Sequence, residues 1–366
     1  MNLIRVIPAE GDMSNVPLLQ GGREKPFLFT LRHLFLMTIV LAVPIMLAVS
    51  CQAQASAKSI TVWTYDSFVS EWGPGGKIAK LYKEKTGTDV SFVSKGDGGA
   101  LLAALLSEGK KAQADVVIGL DNNLASKALS SGLFSSANPK NLASVDKNLL
   151  VDEKNRLIPY DYGTFAIIWD SKTSITPPKS LEDLTHPEYR KSLILMDPRT
   201  STPGLGFLAW TEAVYKDAWQ DYWTRLAPSV LTMTPGWDTG YGLFTKGEAP
   251  LVISYSTSPA YHKAYENTER YKALAFSDGH PMQVEFAGIL ASSKQKKDAE
   301  KFLDFLLSPE AQAILPETQW MYPANTMIKL PDSFSVIPQG ITTIKAEVKN
   351  LEKDPEIAAA ILSGQK

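Results

Sequence analysis

The run TDVSFVSKGDGGALLAALLSEGKKAQADVVIGL, residues 88–120, decides the fold. Residues 88–94 alternate and carry β-branched and aromatic types, which predicts a strand. Residues 99–109, GALLAALLSEG, hold apolar positions at helical spacing. Residues 114–120, ADVVIGL, form a short apolar run that reads as a strand buried on both faces. Strand, glycine-rich turn, helix and strand make one βαβ unit, which demands a parallel pair and a right-handed crossover. Working outward, SITVWTY (59–65) reads as a preceding strand. GGKIAKLYKEKTG (75–87) is a helix ending at a glycine suited to a C-cap, and NLASKALSSG (123–132) is another. Ligands of such sheets gather at the carboxyl ends of the strands, here 65–68, 94–99 and 121–123.

A second α/β run follows. RLIPYDYGTFAIIWD (156–170) is long and apolar and reads as a strand passing between two lobes. SLILMD leads into DPRTSTPGLGFLAW (197–210). Next are predicted a long helix through Arg225, a short strand at VLTM, the loop TPGW, and a helix to Gly247. APLVISY is a strand ending at Tyr255, QVEFAGILASS is a candidate return crossing, and KKDAEKFLDFLLSPEAQAIL reads as two helices split before Pro309. The last 40 or so residues read as helical and amphipathic. The expected organisation is an export signal and extension over 1–55, a first lobe over 58–160 plus 284–315, a second lobe over 161–283, and a C-terminal segment, 316–366, packed on the lobes. Two α/β lobes joined by more than one strand suggest a hinged binding protein.

Composition fits this reading. The 366 residues suffice for about two domains. A hydrophobic share of 44% and a charged share of 21% are ordinary for a globular protein. A net charge of -2 gives no sign of nucleic-acid binding, which needs a basic face. Arg23, Lys25, Arg32 and His33 precede the apolar run 34–50, a charged region followed by an h-region. That run is shorter than the about 20 residues a stable span needs, and Pro44 interrupts it. Two cuts compete. One falls after Ala55, reading Ala53-Gln54-Ala55 as A-x-A, and the other before Cys51, reading AVSC as a loose lipobox with a lipid-bearing cysteine. An uncleaved anchor is the third reading. All three place the body in the periplasm or on the outer face of the membrane. Cys51 is the only cysteine, so no internal disulfide exists.

Chemistry concentrates at a few helix starts. In 197–210, Thr200, Ser201 and Thr202 sit where a strand gives way to a helix near Pro203 or Gly204. Free N–H groups there, with hydroxyl donors, favour an anion. Plain N-capping is the simpler alternative. YSTSPAYH (255–262) repeats the design with Ser256, Thr257, Ser258 and a Pro259 suited to N1. Asp97, between glycines ahead of a helix, could cap that helix or face a cationic group. Tyr65, Trp72, Trp237, Tyr255 and Trp320 gather at strand ends or turns, and aromatic faces attract flat rings and cations. The sum is a ligand with an anionic end and a flat, cationic end.

Taken in order, WTYDSF, WGPG, ADVVIGLDNNL, PYDYGTFA, DPRTSTPGLG, GWDTGYGLFTKGE, LVISYSTSPAYH, FSDGHPMQVE and WMYPAN resemble the periplasmic thiamine-binding proteins of ABC transporters, from about residue 60 to 325. The resemblance implies an α/β, two-lobed type II periplasmic-binding-protein fold with a ligand cleft between the lobes. It implies capture of thiamine, thiamine monophosphate and thiamine diphosphate for an ABC permease in the membrane, by a monomer with no cofactor and no metal. It implies that Tyr65, Trp237 and Tyr255 contact the thiamine rings and that Asp97 and Gly98 meet the polar edge of the pyrimidine. Ser201, Thr202, Ser256, Thr257 and Ser258 would hold the hydroxyethyl or phosphate end, and Trp320 would close the pocket. Trp72, Asn122, Tyr261 and Glu285 lie in matching motifs. The N-terminal extension departs from the family's ordinary cleavable signal.

Two alternatives stand beside this one. Ferric-ion binding proteins share the fold but use adjacent tyrosines, and no Tyr–Tyr pair occurs in this chain. A polyamine or bare oxyanion suits only part of the aromatic and hydroxyl set. An exported thiamine-phosphate hydrolase would need a nucleophile or metal motif. His186, His262 and His280 form no H-E-x-x-H spacing, and no G-x-S-x-G elbow occurs.

Overall fold

The computed structural model describes residues 59–364. The expected export signal, Cys51 and the cut after Ala55 lie outside the described residues. The chain opens with β1 (Ser59–Thr64), α1 (Asp66–Val69), α2 (Pro74–Thr86), β2 (Asp89–Ser94), α3 (Gly98–Glu108), β3 (Val116–Asp121) and α4 (Asn122–Ser130). β1 lies parallel to both β2 and β3, as the βαβ reading predicts. Every residue of β3 is buried, which fits its unbroken apolar run. Gly87 ends α2 in the left-handed conformation at φ 71°, again as read.

After β4 (Phe134–Ser135) comes the strand that organises the molecule, β5 (Ile158–Asp170). The chain continues with β6 (Leu193–Met196), α5 (Thr202–Tyr215), α6 (Trp219–Leu226), β7 (Val230–Thr234), α7 (Trp237–Thr245), β8 (Leu251–Tyr255), α8 (Pro259–Tyr265) and β9 (Tyr271–Ala273). It ends with β10 (His280–Leu290), α9 (Lys296–Leu306), α10 (Pro309–Gln312), β11 (Tyr322–Pro323), β12 (Thr343–Ile344) and α11 (Asp354–Ser363). The main strand order is β2-β1-β3-β10-β5-β8-β6-β7. The first part of β5, to Thr164, pairs with β10, and Phe165 to Trp169 pair with β8. One continuous strand therefore belongs to two sheets, and the mixed α/β architecture matches the expectation. Among the described residues, no helix is long and apolar enough to cross a membrane.

The second sheet packs against α5, whose first eleven residues are all buried. A helix apolar all round has to lie inside the protein. Phe207 meets the rings of Trp210 and Trp223 at 6.4 and 5.7 Å, and all three are fully buried. Each such side chain contributes about 1.5–3 kcal/mol by leaving water.

Two expectations fail. The long helix through Arg225 is two helices: α5 ends at Tyr215, Lys216 takes φ 53°, and a single 3-10 turn precedes α6. Lys216 at that positive φ ends the hydrogen-bond ladder of α5. The last 40 residues are not continuously helical. Among the described residues there, α11 is the only α-helix, and 327–353 runs as loops with the 3-10 turn Asp332–Val336 and the short β12. Pro331 and Pro338 deny this stretch helical hydrogen bonds. It is anchored instead by Phe334 and Ile337, which pack with Ala260 and Trp320.

Candidate functional site

A cavity of about 360 Å³ lies where the carboxyl end of β1, the start of α3 and the helix starts of the second sheet meet. Its volume falls at the small end of the range for small-molecule sites. Six of the eleven expected site residues line it: Tyr65, Asp97, Trp237, Tyr255, Ser258 and Trp320. Trp72, Tyr261 and Glu285, from the matching motifs, line it as well.

One wall is aromatic. Trp237 is the first residue of α7 and stacks on Tyr241, one turn later, at 4.8 Å and 17°. The i,i+4 spacing within GWDTGYG makes this stack possible. Trp72, from the segment between α1 and α2, tilts against Trp237 at 5.9 Å. The Trp237 indole N–H donates to Ser254 Oγ at 2.8 Å, fixing the ring plane. Trp320 meets Tyr261 edge-on at 5.7 Å and adopts φ 58°, a left-handed conformation that bulky residues rarely take. Its N–H donates to the Leu315 carbonyl at 3.0 Å, and its ring stacks loosely on Phe334.

Another part of the lining is acidic. Tyr65 follows β1, and its ring lies over Gly119, which has φ 103°. A Cβ at Gly119 would sit 2.1 Å from that ring. Tyr65 Oη donates to Glu285 Oε2 at 2.8 Å, Tyr160 Oη donates to the same oxygen at 2.5 Å, and Gln319 Nε2 donates to Tyr65 Oη at 2.6 Å. Burial, with the neighbouring Glu285 charge, pushes both phenols well above their ordinary value. Among the described residues, Asp97, Asp238, Glu266 and Glu285 line the cavity, and no Lys or Arg does.

The hydroxyl end differs from the expectation. Ser201 is the N-cap residue of α5 but does not cap it; its Oγ donates to Asp97 Oδ2 at 2.7 Å. The same Asp97 oxygen accepts the Trp237 N–H at 3.4 Å, and Asp97 Oδ1 caps α3 through Gly98 N at 2.8 Å. The donors read as an anion site thus hold the protein's own carboxylate. Burial raises the Asp97 carboxyl, while Ser201, Gly98 and Trp237 hold it down. Asp97 caps α3 and also lines the cavity.

Four other expected residues, with Ser201, do not line the cavity. Gly98 and Thr202 are buried against each other, and a Cβ at Gly98 would lie 2.3 Å from Thr202 Oγ1. Only glycine lets the starts of α3 and α5 approach so closely. Ser256 lines a separate cavity of about 350 Å³ beneath the C-terminal segment, and Thr257 is buried with its hydroxyl unpartnered. Asn122, also in a matching motif, accepts the Val284 N–H at 2.9 Å and ties α4 to β10. Sequence reasoning missed Tyr160, Asp161, Tyr241 and Gln319. Asp161 carried a signal, since it is a lone acid inside an apolar strand run.

The cavity can surround a flat cation with aromatic faces and meet its charge with carboxylates. Residues 111–337 match the family described as bacterial extracellular solute-binding protein. The chain is 44% identical over 316 residues to a thiamine-binding periplasmic protein of Brucella abortus, covering 86% of this chain and 93% of that one. It is 43% identical to the Escherichia coli thiamine-binding periplasmic protein over 297 residues, or 81% of this chain and 90% of that one. A solved periplasmic thiamin binding protein superposes with a TM-score of 0.77 at 39% identity, covering 84% of this chain and 96% of its own.

Proposed function

The chain belongs to the bacterial extracellular solute-binding proteins, among the periplasmic thiamine-binding proteins, and on that premise we propose that its cavity captures thiamine for delivery to an ABC permease. The family binds solutes and performs no chemistry on them. The observation that carries the ligand assignment is the pairing of an aromatic wall (Trp72, Trp237, Tyr241) with four carboxylates and no basic residue in one cavity. Thiamine joins a cationic thiazolium to a flat aminopyrimidine. Each cation–π contact contributes about 0.5–2 kcal/mol, more when water is excluded.

In this reading the parts of the chain on either side of the β5 crossing act as lobes, with the boundaries read from the sequence. They close on the ligand and present a joint face to the permease, and the protein works as a monomer. Thiamine monophosphate and diphosphate bind through the same ring contacts. Their phosphates meet hydroxyls, backbone N–H groups and water, because no cation lines the cavity. The three forms then bind within about tenfold of one another. The protein acts in the periplasm or on the outer face of the membrane, after export by its N-terminal signal. The mass of the mature chain separates a cut after Ala55 from lipid on Cys51.

Calorimetric titration of the purified protein with thiamine, its two phosphates and ferric ion tests this function. Tight one-to-one binding of thiamine with no ferric binding is expected. Ferric binding without thiamine binding overturns the proposal.

A further inference from the structure

Three acids stand side by side across the first sheet. In the register of the first sheet, Glu285 of β10 lies opposite Asp121 of β3 on one side and Asp161 of β5 on the other. The β10 register shifts beside Glu285, and such bulges re-aim a side chain. Glu285 lines the cavity, but Asp161 and Asp121 do not.

The three acids have different partners. Asp121 caps α4, accepting from Asn123 N at 2.7 Å and Leu124 N at 3.1 Å. Glu285 accepts from Tyr65, Tyr160 and, through Oε1, from Gln283 Nε2 at 2.8 Å. Asp161 is fully buried, and among the described residues neither of its oxygens meets an N–H or O–H donor. A bare carboxylate at that position would have no compensation. Its cross-strand neighbour on the same face is Glu285, the acceptor a protonated Asp161 would meet there. A carboxylate offers about four acceptor positions, and Asp161 would fill the fourth on Glu285.

We propose that Asp161 is a positioning residue that remains protonated and donates its proton to Glu285, so that Glu285 stays ionised as the cavity's fixed negative charge. The groups facing the pair support this division. They are Asp121 from β3, Asp97 at the start of α3, and the Tyr65, Tyr160 and Tyr255 phenols, with Gln283 and Gln319 neutral. None carries positive charge, so the pair keeps a single net charge. Burial and the Glu285 charge raise the Asp161 carboxyl strongly. Burial raises Glu285 too, but its tyrosine and Asp161 hydrogen bonds oppose the rise. The charge therefore rests on the residue that touches the cavity, and the proton on the one behind it.

The role for Glu285 in holding a cation rests on thiamine as the ligand; the protonation of Asp161 does not. The test has two arms. Infrared spectra of ligand-free wild type and Asp161→Asn at about pH 8.5 compare the carbonyl stretch of protonated carboxyls, a pH at which ordinary carboxyls are ionised. Loss of a buried carboxyl band in the variant is expected; identical spectra overturn the proposal. In the second arm, thiamine affinity is followed by Trp fluorescence from about pH 5 to 8.5, where the ligand's own titration is common to all variants. Asp161→Asn keeps a donor and should keep the wild-type profile. Asp161→Ala should lose on the order of tenfold more affinity at the acid end than at the alkaline end, because Glu285 protonates more readily. Glu285→Gln should bind weakly with a flattened acid limb. An acid limb moved to lower pH in Asp161→Asn would show that Asp161 was ionised and overturn the proposal. So would a pH-independent loss in Asp161→Ala. Should Asp161→Ala fail to fold, Asp161→Asn decides both arms. A band lost in the variant, with no thiamine binding by the wild type, would uphold the Asp161 assignment and sink the ligand.

Discussion

Replacing Asp97 by Ala should separate what this residue does for folding from what it does for binding. Its Oδ1 caps α3 at 2.8 Å, and losing such a cap costs about 1 kcal/mol. That cost falls on the ligand-free protein and should lower its melting temperature by about 2 °C, given the size of the chain. Its Oδ2 joins α3, on the first sheet, to Ser201 and Trp237, on the second. The 2.7 Å Ser201 bond to a charged acceptor is worth about 1.5–3 kcal/mol, while the 3.4 Å contact adds little. If closing on the ligand makes this bond, the loss appears in affinity, as a Kd raised by about 10- to 150-fold. Asp97→Asn keeps a polar partner for Ser201 and loses only the charge facing the cation. Its smaller loss should shrink further as salt is added. Calorimetry with thiamine and thermal melts with and without ligand measure both effects. Affinity for thiamine within about threefold of wild type in Asp97→Ala, alongside a lowered melting temperature, would refute the reasoning.

Ser201→Ala should weaken thiamine and both phosphates by similar factors of about 10 to 150, because its hydroxyl is committed to Asp97; a loss confined to the phosphates would restore an anion site there. Trp237→Ala should raise the Kd of all three forms by about 10- to 100-fold and abolish most ligand quenching of Trp fluorescence, as titrations would show. Burial raises the Asp121 carboxyl to about 7, against the pull of Leu124, Thr202 and Asn123. Between about pH 4 and 7 the folded state then holds a proton that the unfolded chain has lost, so Asp121 withdraws stability as pH rises through that window. Asp121→Asn, which still caps α4, should gain about 1–3 kcal/mol over wild type between pH 5 and 8 in urea unfolding; a pH-independent difference would contradict this.

The first sheet's parallel core was legible because 59–132 repeats strand, helix and strand with the right periods, and β1, β2 and β3 pair as those periods require. The place of β10 between β3 and β5 was not, since no local pattern names a partner so far away in the chain. Asp97, Trp237 and Trp320 could be picked out because polar or aromatic residues at strand ends and turns have few structural reasons to be there. The partner of Ser201 was not legible for a related reason. Its helix start is real, but its hydroxyl bonds to Asp97, 104 positions earlier. Lys216 gave no warning of the break between α5 and α6, because lysine carries no marker for positive φ. The tail after residue 327 was misread because its scattered apolar residues anchor loops, and that spacing only mimics an amphipathic helix.

The placement of β10 has a consequence for how the chain is made. The first sheet is missing its middle until residues 280–290 exist, since Val284 N bonds to Asn122 across 162 positions and β3 has no other neighbour on that side. Pairing over such a separation is slow, because the intervening loop must be closed before any contact repays its entropy. A nascent chain therefore lacks the central strand of its first sheet until residue 290 has been made.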